Sequence, residues 1–202
     1  AGYGGVMIKA PVYIALNTLN TEKKSFVLGS YGMEELITKL NSIGLGTCWI
    51  TVTDVEATVK KSAFNFTDGD VNHLLAVGYP VDTEVREHRY DDRIGITDLV
   101  FIDDFNHKAS VDELEQRGLA DLFTYARFAP STKNEQPWRF IIKGDTIELY
   151  IEDYKGNMNL IDAGIIMYYI DELTKSFANE SKWEIDPQLN NYKYQFIAKK
   201  VL

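Results

Sequence analysis

Cysteine is almost absent from the chain: Cys48 is the only one among 202 residues. A single thiol closes no internal disulfide and builds no Cys-based metal site, which fits a reducing compartment. Histidine is nearly as scarce. His73, His88 and His107 show neither His-x-x-x-His nor Glu-x-x-His spacing, so no metal site is expected. Asp103-Asp104…His107 reads as a polar loop before it reads as a chelator. No apolar run approaches the ~20 residues that cross a bilayer, and no secretory h-region is present. The expected location is therefore cytoplasmic, and the sequons at Asn65 and Asn179 read as chance. Basic charge is also short. With 21 Lys and Arg against 30 Asp and Glu, the net charge is −9. Such a surface repels phosphate backbones, so neither a nucleic-acid partner nor a membrane is expected.

What is there is a globular composition, 45% apolar and 12% aromatic, in a chain long enough for one domain or two small packed halves. Val12 to Leu16 reads as a strand and Asn17 to Lys24 as a loop. From Tyr31, Met33, Leu36, Ile37, Leu40 and Ile43 form one apolar helical stripe that Gly44 stops. Cys48 to Val52 reads as a strand, 55–63 as a helix behind Asp54, and His73 to Tyr79 as a strand ended by Pro80. Asp82 to Arg93 is dense in charge and has no apolar period. Ser110-x-x-Glu113 is a capping box. It opens a helix broken near Gly118, and Leu119, Leu122, Phe123 and Ala126 share one face of the next. Phe140 to Lys143 and Thr146 to Glu152 flank Gly144-Asp145 as a hairpin. A long helix follows from about Leu160 to Phe177, in which Tyr168 and Tyr169 cannot face one core. Strands are expected at 182–185 and 192–199.

The order strand pair, loop, long helix, Trp-containing strand (Trp49, Trp183) occurs twice, which suggests duplicated halves. The reading is a first half at 1–81, a connection at 82–109 and a second half at 110–202. The abrupt opening Ala1-Gly2-Tyr3-Gly4-Gly5, without Met, reads as a chain whose start lies upstream.

Two segments carry the polar chemistry. Pro130 to Trp138 places a hydroxyl pair (Ser131, Thr132), a carboxamide pair (Asn134, Gln136) and Lys133 between two prolines. No base accompanies the hydroxyls, so a nucleophilic hydrolase is not indicated. The mixed donors and acceptors suit the edge of a flat heteroaromatic ring, or else a surface turn that caps a helix. Gly44-Leu45-Gly46-Thr47-Cys48-Trp49 contains Gly-x-Gly. It follows a helix and enters a strand, the reverse of the dinucleotide fingerprint. It is either a helix stop where a ligand approaches the backbone or a cap alone. Cys48 reads as a packed thiol.

Ala129-Pro130-Ser131-x-x-Asn134-x-Gln136-Pro137-Trp138-Arg139-Phe140 resembles the APSxxNxQPWxF segment of FMN-dependent nitroreductases. Gly44 to Trp49 resembles that family's GLGTCW stretch. The resemblance implies an α+β nitroreductase-like fold, with a mixed or antiparallel sheet, packed helices and two pseudo-repeated halves. The motif order is the reverse of the ordinary one and resembles the internally duplicated branch, in which a single chain imitates the dimer. The family's Arg-x-Ser-x-Arg phosphate segment is missing from these residues.

The implied function is FMN-dependent oxidoreduction, passing electrons from NAD(P)H to a small acceptor such as a nitroaromatic, a quinone or flavin, by ping-pong kinetics in a monomer. The implied cofactor contacts are Pro130, Ser131, Thr132, Asn134, Gln136, Leu45, Gly46 and Thr47, with no catalytic side chain. Lys133 and Arg139 are the cations nearest the expected ring edge, and Lys199 or Lys200 the more remote candidates for the phosphate. The alternatives are a non-catalytic flavin-binding or flavin-sensing protein of the same fold, and a structural α+β protein with chance matches.

Overall fold

The computed structural model describes residues 2–3, 6–81, 92–177, 181–190 and 192–202. A short ribbon, β1 (Gly2–Tyr3) and β2 (Val6–Met7), precedes β3 (Val12–Thr18), the long helix α1 (Lys23–Ser42), β4 (Gly46–Thr51), α2 (Ala57–Phe64) and β5 (Asp70–Gly78). Strands β3, β5 and β4 make a three-stranded antiparallel sheet in that order. Then come α3 (Ile96–Leu99), β6 (Val100–Ile102), α4 (Val111–Gln116), α5 (Ala120–Ala126), β7 (Trp138–Lys143), β8 (Thr146–Glu152), the long helix α6 (Asn157–Thr174), β9 (Glu184–Gln188) and β10 (Tyr194–Val201). The second sheet has the order β6-β7-β8-β10-β9; β6 runs parallel to β7 and the other pairs are antiparallel. The architecture is thus mixed α+β, as expected.

Period-2 alternation puts Trp138, Phe140 and Ile142 of β7 and Ile147, Leu149 and Ile151 of β8 on one buried face. α6 covers that face and α1 packs along α6. The crossing depends on one glycine. A Cβ at Gly164 would stand 2.0 Å from Ser30 Oγ and 2.2 Å from the Val27 carbonyl oxygen. Ser30 turns its hydroxyl back onto the Phe26 and Val27 carbonyls, which removes a buried unpaired donor.

An ion pair pins the same helices to the sheet. The Tyr31 hydroxyl donates to Asp171 Oδ2 at 2.7 Å, and Lys200 Nζ lies 3.0 Å from Asp171 Oδ1. Lys200 also donates to the Ser181 carbonyl at 2.6 Å. Tyr168 packs edge-on against Tyr31 at 5.5 Å between centroids. Of the tyrosine pair on α6, Tyr168 meets α1 through Tyr31.

Local signals held where they were self-contained. The Ser110–Glu113 capping box is complete in both directions. Gly44, at φ +84°, follows α1, and the Leu45 N–H reaches the Leu40 carbonyl while the Gly44 N–H reaches that of Asn41. This is a Schellman closure.

Other readings need correction. α1 begins at Lys23, before Tyr31, because Phe26 and Val27 bury in the core that α6 shares. The stretch read as a connection, 82–109, contains α3 and β6, and β6 extends the second sheet. Residues 82–91 of that stretch lie outside the described residues. Lys200, named as a remote candidate for the phosphate, is buried and paired with Asp171.

Candidate active site

The segment from Ala129 to Trp138 folds into a tight loop around a 3-10 turn at Thr132–Asn134. Lys133, Asn134 and Gln136 all adopt positive φ, at 51°, 59° and 47°. Three non-glycine residues in the left-handed region within four positions store strain that the surroundings must hold. The holding groups are explicit. The Gln136 N–H donates to Ser131 Oγ at 3.0 Å. The Gln136 side-chain amide donates to the Asp92 and Asn134 carbonyls, and its Oε1 accepts the Ile94 N–H at 2.9 Å. The Asn134 amide donates to the Asp92 carbonyl. Arg93 reaches the Ala129 carbonyl at 2.8 Å from the other side. The Arg139 guanidinium donates to the Gln136 and Trp138 carbonyls and pairs with Glu152.

Helix α6 completes the loop. Asp162 Oδ1 accepts both the Thr132 N–H, at 2.8 Å, and the Thr132 hydroxyl, at 3.0 Å. Asp162 is fully buried. Burial pushes its pKa up from 3.8 to about 6, against smaller downward pulls from Thr132 and the Asn159 amide.

A cleft of about 380 Å³ opens between this loop, α6 and the first sheet. The loop gives it Pro130, Ser131, Thr132 and Lys133, and the sheet gives Cys48, Trp49, Thr51 and His73. From α6, Met158, Ile161, Asp162 and Ile165 form a largely apolar floor. His73 sits with Nε2 3.1 Å from Met158 Sδ and its ring 6.1 Å edge-on to Trp49. Burial lowers the His73 pKa to about 4, so the imidazole is neutral at neutral pH. The Trp49 indole N–H donates to the buried Glu34 carboxyl at 3.1 Å. That bond sets the ring plane at one wall. Lys133 is the only Lys or Arg among the described residues that line the cleft.

Of the expected contact residues, Pro130, Ser131 and Thr132 line the cleft, and Leu45, Gly46, Thr47, Asn134 and Gln136 do not. The amides of Asn134 and Gln136 are directed into the loop itself. Leu45 packs beside Met33 and Ile37. Gly46 pairs with Gly78 across the sheet, and the Thr47 hydroxyl donates to Asn41 Oδ1. Of the two segments, Pro130–Lys133 and Cys48–Trp49 meet at the cleft. Asp162, Met158 and His73 were not singled out as cleft residues, because nothing in their local pattern marks them. Lys199 pairs with Glu184.

Residues 3–172 match the family model described as "Putative TM nitroreductase". A solved structure titled as a "putative nitroreductase" from Thermotoga maritima superposes with a TM-score of 0.64 at 19% identity. The alignment covers 95% of this chain and 71% of that one. At that identity the likeness is one of fold. No curated protein matches the chain. Matched over most of its length by that family model and sharing a nitroreductase fold, the chain belongs to the TM nitroreductase family.

Proposed function

We propose that the cleft binds FMN and that the protein is an NAD(P)H-dependent, nitroreductase-like oxidoreductase of the cytoplasm, acting on a small acceptor. The observation that carries this reading is the convergence of two segments far apart in sequence, Cys48–Trp49 and Pro130–Lys133, on one largely apolar cleft.

The residues present fit a flat heteroaromatic group. The floor of Met158, Ile161 and Ile165 suits the face of a ring, and hydroxyls and a carboxylate stand at its edge. Asp162, buried beneath the loop, fixes Thr132 through its N–H and its hydroxyl. Bound in the cleft, FMN would supply hydride transfer, the chemistry the protein's own groups lack.

The chain's residues would do the rest. Trp49, Met158 and the isoleucines exclude water from the ring face. Neutral His73 adds a polar group at the wall without adding charge. The strained loop, held at Asp162, Asp92 and Arg93, presents Ser131 and Thr132 in fixed positions. Lys133 offers a positive charge to an anionic edge or phosphate. The duplicated-halves reading makes a monomer sufficient, with two-electron traffic through one cleft giving ping-pong kinetics.

The test is the absorbance spectrum of the protein with added FMN, followed by anaerobic NADPH or NADH. A flavin band near ~450 nm that bleaches is the expected result, since the cofactor carries the chemistry. A band that neither nucleotide bleaches would favour the non-catalytic flavin-binding alternative. No binding of FMN would overturn the reading.

A further inference from the structure

Two sulfur-bearing residues line the cleft, Cys48 and Met158. Burial pushes the Cys48 thiol pKa up, and the thiolate is the reactive form, so Cys48 is the poorer target for an oxidant. A thioether needs no deprotonation, and its sulfur is soft and polarisable. Met158 stands on the first turn of α6 and is half-buried at the cleft floor. Met33 and Met167 differ from it, being 5% and 1% exposed within the core. Susceptibility to oxidation follows exposure.

The sulfur of Met158 has two lone pairs, and its surroundings treat them differently. His73 Nε2 stands 3.1 Å from Sδ. A bare nitrogen lone pair at that distance would repel those of the sulfur. The neutral ring therefore carries its proton on Nε2 and donates it. One lone pair is screened by the imidazole, and His73 is itself buried beside Trp49, so the screen stays in place. The approach left to a small oxidant is from the cleft, which both residues line.

We propose that Met158 is the peroxide-reactive site of the cleft, oxidised at sulfur to a single sulfoxide epimer because His73 covers the other lone pair. The uncovered lone pair attacks one oxygen of hydrogen peroxide, and the O–O bond breaks. Sulfur gains that oxygen and gives up two electrons. The second oxygen leaves as hydroxide and takes up the proton of the transferred oxygen, forming water. The product places a polar S=O in a largely apolar floor, which disfavours an apolar ring face there. None of this requires a flavin in the cleft.

The test treats the folded protein with hydrogen peroxide and follows oxygen uptake by peptide mass spectrometry. Expected is loss of the Met158 thioether while Met33 and Met167 keep theirs. The released Met158 peptide is then offered separately to the two methionine sulfoxide reductases, each of which repairs one epimer. One enzyme should restore nearly all of the thioether and the other almost none, whereas protein oxidised in denaturant should be repaired by both. In His73→Ala, checked for folding by its denaturant midpoint, both enzymes should likewise act. Uptake at Met33 or Met167 as fast as at Met158 overturns the site. A mixture of epimers from the folded wild type overturns the screening by His73. A single epimer that persists in folded His73→Ala assigns the screen to another group and overturns it as well. If His73→Ala does not fold, the epimer ratio of the wild type still decides.

Discussion

Asp162 and His73 enter one cleft from α6 and β5, and both lose water there with opposite consequences for charge. The Asp162 pKa rises from 3.8 to about 6, so between those values the unfolded chain has released a proton that the folded chain retains. Stability from this group therefore falls as pH rises through that window. The His73 pKa falls from 6.5 to about 4, so the unfolded chain binds a proton that the folded chain refuses. Its contribution is lost as pH falls. In the wild type the two slopes oppose each other. From about pH 7 to about pH 5, Asp162→Asn should lose stability and His73→Gln should gain it, each by about 1–3 kcal/mol relative to the wild-type change. Urea midpoints at the two pH values measure this; parallel behaviour of all three proteins would show that these groups are not desolvated as described. Trp49 adds a test of geometry. Trp49→Phe keeps the ring and loses the bond to Glu34, leaving that carboxyl buried without its donor. A loss of about 1–3 kcal/mol is expected on denaturant unfolding.

At the scale of elements, the α1–α6 crossing is the most exposed to substitution. Alanine normally improves a helix over glycine by about 1 kcal/mol, but at Gly164 the new methyl would overlap a backbone carbonyl that has no room to move. Gly164→Ala should therefore destabilise by about 3 kcal/mol, as overpacking does. Ser110→Ala, which removes half of the α4 capping box, should cost about 1 kcal/mol. Thermal melts of the two variants compare a buried contact with a surface cap, and a stabilised Gly164→Ala would mean that the helices stand further apart. Gly44 and the capping box were legible in the sequence because their partners lie within one turn. Strand β6 was not. Its three residues, Val100–Ile102, are ordered by pairing with Phe140, Ile141 and Ile142 of β7, partners that no short window contains. The early start of α1 was hidden for the same reason, since Phe26 and Val27 acquire their meaning from α6.

Across the whole molecule, Tyr31, Asp171 and Lys200 join α1, α6 and β10 in one group, with Lys200 buried and the other two half-buried. Removing one partner of such a group strands the others, so Lys200→Met should destabilise by about 3 kcal/mol. Lys200→Met with Asp171→Leu should recover part of that, because burying two apolar groups replaces an uncompensated charge. Chemical denaturation of both proteins decides it; equal losses would mean that the network does not act as a unit. If one chain suffices for the cleft, light scattering should give a mass near 23.0 kDa. A mass near twice that value would mean that a second copy belongs to the working protein.

The sequence by itself determined the mixed α+β class, the placement of most helices and strands, the closure of α1 at Gly44, and the resemblance that pointed to a nitroreductase. All of these rest on periodicity, turn chemistry or short motifs, interactions that reach only a few residues. Only the tertiary structure decided which residues form the cleft. It turned the amides of Asn134 and Gln136 into supports for their own loop and left Leu45, Gly46 and Thr47 outside the lining. It also brought Asp162, Met158 and His73 in from distant elements. A motif states which side chains a loop carries. Where their hydrogen bonds go depends on which backbone groups packing has left unpaired nearby, and that is fixed only when the elements meet.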